Sequence, residues 1–114
     1  MTLSRKMHLI AFRVRNEMEQ RRRNGETAYA VESTLGGLCG EASDRIVAIA
    51  RHAGLKKVRV AGNDCHAFVR WTEGKREWLI DVTATQFNNR RPRVVMQLVT
   101  SMTRTPHYWR ETDE

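Results

Sequence analysis

The chain has 114 residues, the size of one domain, and its apolar fraction of 40% and charged fraction of 29% are those of a globular protein. No apolar run approaches the roughly 20 residues that span a bilayer, and Arg13 and Arg15 interrupt the N-terminal apolar stretch, so it does not read as a signal peptide. Two cysteines without CxxC spacing do not make a disulfide framework, so a reducing, cytoplasmic setting is expected, with a Cys39–Cys65 disulfide, which would silence Cys39, and delivery as an effector left open.

The formal net charge is +7, unevenly spread. Residues 1–25 carry seven Lys/Arg against two Glu, residues 26–87 carry eight of each sign, and residues 88–114 carry five Arg against three acids. The ends therefore hold the candidate anion-binding residues, Arg21, Arg22, Arg23, Arg90 and Arg91, with nucleic acid or an acidic protein as the matching partner. A solvated basic helix face explains the same residues equally well.

In chain order, residues 2–23 read as a helix. Leu3, Met7, Ile10, Val14 and Met18 recur at helical spacing, Leu9 and Phe12 are expected to widen the stripe, and Asn24-Gly25 ends it. Residues 26–35 form a connector in which Tyr29 is expected to pack. A second helix spans about 38–53, with Leu38, Ala42, Ile46, Ile49 and Ala53 on one side, Thr34 or Gly37 near its cap and Gly54 as its stop. Residues 56–61 alternate as a first strand, and Gly62-Asn63-Asp64 is a turn. A hairpin follows, Cys65 to Trp71 and Arg76 to Val82, with Cys65 facing the core. Residues 87–92 are a basic loop, 94–99 a strand, and Tyr108-Trp109 either docks over a cleft or stays at the surface. The expectation is one α+β domain over 1–114: a basic N-terminal helix, and a core over about 26–100 in which a helix packs on a small antiparallel sheet.

The hairpin turn, read as Glu73-Gly74 or as Thr72 to Lys75, sets one register. His66 then lies opposite Asp81, Phe68 opposite Leu79 and Arg70 opposite Glu77. Ala67–Ile80, Val69–Trp78 and Trp71–Arg76 pair on the other face. A three-residue loop would place His66 and Asp81 on different faces. Cys39 falls in the first turn of its helix, where unpaired N–H groups and the dipole favour a thiolate. A thiol, a base and a group that orients the base make a nucleophilic set. Cys39, His66 and Asp81 are therefore the candidate catalytic residues. The Cys39 backbone N–H is a first oxyanion donor, with Gln86 and Asn63 as candidates for a second or for substrate contact.

Cys39, His66 and Asp81, in that order, resemble the transglutaminase-like branch of the papain-like thiol enzymes: a Cys at a helix start, then His and Asp on successive strands. Gly36-Gly37-Leu38-Cys39-Gly40-Glu41, with Trp78-Leu79-Ile80-Asp81-Val82 closing a later strand, is also similar to the arylamine N-acetyltransferases. The resemblance covers about the middle half of the chain. It implies a papain-like core and a cysteine peptidase, glutamine deamidase or transglutaminase-like activity on an amide of a protein or peptide, without a cofactor. Two departures stand out. The chain is far shorter than those enzymes, so acetyl-CoA or arylamine chemistry is not carried over. Ser33 stands six residues before Cys39, where a papain would have its Gln.

No zinc-site spacing links Cys39, Cys65, His52 and His66, and no phosphate-cradling glycine motif occurs, so neither metal nor cofactor is expected. The alternative function is a basic nucleic-acid-binding module on a non-catalytic papain-like fold.

Overall fold

The computed structural model describes residues 1–26, 37–88, 90–101 and 105–111. Gly36, Ser33, Thr34, Tyr29 and the rest of the connector from residue 27, together with Asn89, lie outside the described residues. Among the described residues the fold is α+β: two α-helices and one four-stranded antiparallel sheet.

Helix α1 spans Leu3–Arg23, capped by the Thr2 hydroxyl, which accepts from the Arg5 N–H. Met7, Ile10, Ala11, Val14 and Met18 face the core. Leu3, Leu9 and Phe12 do not; they are exposed, because Leu9 and Phe12 fall on the far side of the helical wheel from Met7 and Val14, and Leu3 lies at the open end. Arg15 completes the buried arc instead, only 2% exposed.

Helix α2 spans Cys39–His52, with Leu38 as its N-cap residue and no side-chain cap bond among the described residues. Gly37 precedes it with φ +84°, a left-handed conformation suited to glycine. At the other end Leu55 donates to the Ala50 carbonyl and Gly54 to that of Arg51, with Gly54 at φ +89°. This is the left-handed glycine stop expected there. Ala42, Ile46, Val47 and Ala50 are buried against α1 and the sheet.

The sheet is a meander, β1 (Val58–Asn63), β2 (His66–Glu73), β3 (Arg76–Asp81) and β4 (Val95–Val99), with neighbours paired in that order. The first turn is Asp64-Cys65 rather than Gly62 to Asp64, because Asn63 pairs with His66 and its side-chain oxygen accepts from the Cys65 N–H. Cys65 is consequently exposed in a turn rather than in the core, and both cysteines are free thiols.

The β2–β3 register differs from the expected one by two residues. Trp71 faces Trp78, Arg70 faces Leu79 and Glu73 faces Arg76. The reason is a two-residue turn, Gly74-Lys75, in which Gly74 takes φ +59° at the first central position, a conformation glycine adopts without a Cβ clash. A slip of two preserves the face of every side chain, since the strand period is two. His66 and Asp81 therefore still share a face, as diagonal neighbours.

Two apolar clusters sandwich the sheet. Val58, Val69, Trp71, Ile80 and Val82 meet the helices. On the other side Ala61, Phe68, Leu79, Ala84 and Val95 bury Trp109 from the C-terminal segment. Phe68 and Leu79 alternate with the helix-facing residues and lie on the face of His66 and Asp81. Helix α2 thus lies on the face away from His66, and Cys39 comes to His66 around the end of the sheet, where β2 begins. No helix among the described residues is long and apolar enough to cross a membrane.

Candidate active site

Asp81 ends β3, and its carboxylate accepts four hydrogen bonds. Oδ1 takes the Thr83 N–H at 2.8 Å and the Thr83 hydroxyl at 3.2 Å. Oδ2 takes His66 Nε2 at 2.6 Å and the Trp109 indole N–H at 2.7 Å. Asp81 and His66 are each 3% exposed, so this pair is shielded from water. An ionised partner in a water-poor setting makes such bonds short and strong.

With Nε2 facing Asp81, the other nitrogen, Nδ1, points away from the carboxylate, toward the Gln86 amide nitrogen. The interaction of the Cys39 thiol with His66 pulls its pKa down against the opposing effect of burial; the backbone N–H groups of Ala67 and Gly40 add to the lowering. Burial presses the His66 imidazole down, yet its bonds to Asp81 and Cys39 outweigh that and raise it to about 9. The two shifts agree in sense: both favour a thiolate beside an imidazolium. Cys39 is half-buried, the first residue of α2, where helix N–H groups have no intrahelical acceptor.

Gln86 sits in a short 3₁₀ turn, Ala84–Gln86, with its amide nitrogen 3.3 Å from His66 Nδ1 and 3.3 Å from the Thr83 hydroxyl. That puts its N–H groups on the Nδ1 side of the ring. Asn63 is placed otherwise. Its amide nitrogen reaches the carbonyls of His107 (3.3 Å), Tyr108 (3.5 Å) and Arg110 (2.7 Å), so the side chain that was an oxyanion candidate is a clamp on the C-terminal segment.

Aromatic rings frame the imidazole. Phe87 meets it edge-on at 4.7 Å between centroids, and Tyr108 stacks on Phe87 at 4.4 Å and 6°. Arg91 bonds the Tyr108 hydroxyl at 2.9 and 3.1 Å and lies 4.6 Å over the Trp109 ring. From behind, buried Arg15 donates to the Val82 carbonyl at 2.8 Å and the Thr85 hydroxyl at 3.0 Å, bracing the chain just past Asp81. Burial presses its guanidinium pKa down, while Glu19 counters.

Among the anion-binding candidates, Arg21 bonds Glu41 at 2.6 Å, tying the end of α1 to the first turn of α2. Arg23 bonds Gln20 at 2.8 Å, and Arg91 belongs to the aromatic cluster. The Arg90 side chain is exposed, and Arg22 lies beside Arg21 at the end of α1. Of these residues, Arg91 lies at the site, through Tyr108 and Trp109.

Thr83, Phe87 and the Ala67 N–H were missed by sequence reasoning; Tyr108-Trp109 takes the docked alternative, but the bond from Trp109 to Asp81 was not foreseen. Thr83 had a readable signal, because an Asp two residues before a Thr suits a local side-chain turn. Trp109 had none beyond being a large aromatic in a polar tail. Among the described residues no group of three or more His, Cys, Asp or Glu is arranged to hold a metal ion. Comparison of the chain with protein-family models, with curated proteins and with solved structures finds no match.

Proposed function

We propose that the protein is a cysteine-nucleophile enzyme that cleaves or transfers an amide acyl group of a protein or peptide. One observation carries this reading: the buried His66 ring, bonded to the Asp81 carboxylate at 2.6 Å, is also the group that pulls the pKa of the Cys39 thiol down. On this reading α2 and strands β1 to β3 are a reduced transglutaminase-like core.

Thiolate Cys39 attacks the amide carbon, forming a C–S bond and a tetrahedral oxyanion. The Cys39 N–H and the Gln86 amide are the donors we assign to that oxygen. As the C–N bond breaks, His66 gives its Nδ1 proton to the departing amine, leaving a thioester on Cys39. A water molecule, deprotonated by His66, then attacks the thioester carbon, and the carboxylic acid leaves as the thiolate and imidazolium return. Asp81 holds the imidazole with Nε2–H turned toward it and stabilises the imidazolium. Hydrolysis is preferred over transfer to an amine because water is the only acceptor it needs.

The test is labelling by iodoacetamide at pH 7, with the two thiols resolved by peptide mapping. Cys39 should react at least tenfold faster than Cys65, following its larger thiolate fraction, and His66→Ala should remove most of that advantage. Equal, slow labelling of both thiols sinks the reading. The nucleic-acid alternative gains no specific support, since Arg21, Arg23 and Arg91 have partners inside the fold.

A further inference from the structure

Asp81 must present one oxygen to His66 in a fixed direction, and its last side-chain torsion does not supply that by itself. Such a torsion, about a bond between tetrahedral and planar carbons, is broad. The direction has to come from donors on the carboxylate. Thr83 fixes Oδ1 through two bonds from the next turn of its own chain. Oδ2 is met by His66 and by one further group, the Trp109 indole N–H, which arrives from 28 residues away. Trp109 is 2% exposed, so water does not substitute for it in this structure.

The segment that brings Trp109 is itself anchored. Asn63 holds its backbone at three carbonyls, those of His107, Tyr108 and Arg110. Arg91 grips the Tyr108 hydroxyl and covers the Trp109 ring. Arg59 bonds Glu111 at 2.6 Å. Two polar side chains singled out as candidates for substrate or anion contact, Asn63 and Arg91, thus serve one object. A tail docked only by its hydrophobic ring would need neither.

We propose that residues 105–111 form a strap that is part of the active site, and that Trp109 is a positioning residue which locks the Asp81 carboxylate toward His66 through its indole N–H. The proposal rests on the thiol-enzyme reading above and deepens it. The strap reaches the reaction through Asp81 and His66. Loosening it lowers the stabilisation of the imidazolium and, through that, the thiolate fraction of Cys39. The charged and titratable groups around this line are Cys39 from α2, Asp81 from β3, Arg15 from α1 behind Val82, and Arg91 and Tyr108 beside the strap.

Trp109→Phe keeps an aromatic ring and deletes the N–H. The measurement is the pH dependence of iodoacetamide labelling at Cys39 in the full chain, for wild type, Trp109→Phe, Asp81→Asn and the double variant, with His66→Ala as reference. Trp109→Phe should move the acid limb of the profile upward by about one pH unit and slow labelling at pH 6 about tenfold. In the Asp81→Asn background the same change should add less than twofold, since the two act on one bond. If His66→Ala labels like wild type, the thiol-enzyme reading fails. If His66→Ala is slow but Trp109→Phe follows the wild-type profile, the strap proposal alone fails. Should Trp109→Phe not fold, the wild-type protein decides. Its Trp109 indole proton resonance should be protected from exchange and move with the alkaline titration of His66. A rapidly exchanging or pH-invariant resonance overturns the proposal.

Discussion

His66 Nε2 and Asp81 Oδ2 lie 2.6 Å apart although the two residues do not face each other across the hairpin. Continuing the observed register, in which Val69 faces Ile80, sets Asp81 beside Phe68, two residues along from His66. Diagonal neighbours on one face of a sheet remain within reach of long side chains. The imidazole spans that offset, and the carboxylate is turned to meet it by Thr83 and Trp109.

The pH profile of activity should be bell-shaped. The working form needs Cys39 ionised and His66 protonated. The acid limb lies below the ordinary thiol value, because His66 pulls Cys39 down, and the alkaline limb lies near pH 9, where His66 loses its proton. A profile of labelling that rises in a single step at the ordinary thiol pKa would contradict the ion pair.

The same pair links stability to pH. The folded-state value of His66 stands above that of the unfolded chain. Its ionised form therefore stabilises the fold fully below the ordinary imidazole value, near pH 6.5, and that contribution is lost as pH rises through about 9. Urea denaturation at pH 6 and pH 10 should show wild type losing more stability than His66→Gln over this interval.

Asp81→Ala should destabilise the protein by about 3–5 kcal/mol, because it strands the buried donors of His66, Trp109 and Thr83 as well as breaking the ion pair. Equilibrium denaturation in urea at pH 7 measures this. A cost below 1 kcal/mol would show that the described bonds are not made in solution.

Gly62→Ala tests how His66 is seated. A β-carbon at Gly62 would run into the His66 carbonyl oxygen and crowd the Ala67 Cα, both backbone atoms that cannot rotate away. The expected outcome is a loss of roughly 1–3 kcal/mol and slower labelling of Cys39, whose thiol depends on His66 and the Ala67 N–H. Labelling at the wild-type rate would mean that the start of β2 tolerates displacement.

Arg15→Met keeps the bulk of the side chain and removes the donors to Val82 and Thr85. Losing the bond to the buried Val82 carbonyl should cost about 1–3 kcal/mol. Thermal or urea unfolding checks it, and an unchanged stability would argue that water replaces the guanidinium behind Asp81.

The sequence by itself determined the elements whose signals are local. Period-3.6 apolar spacing located α1 and α2, Asn24-Gly25 and Gly54 marked their ends, and alternation around Gly74 located β2 and β3. It also put His66 and Asp81 on one face, which survived a register slip of two because strand faces repeat every second residue. The tertiary structure decided everything that depends on distant chain segments meeting. Helix α2 covers the face away from His66, so Cys39 arrives around the sheet end; Arg15, an apparent interruption of an apolar stretch, is buried because Val82 and Thr85 offer it acceptors. Trp109 reaches Asp81 because the tail folds back onto β1 and β2, and Asn63 is turned to hold it there. Such contacts carry no periodicity, since their partners are separated by 28 to 70 residues and meet only once the sheet and helices have packed.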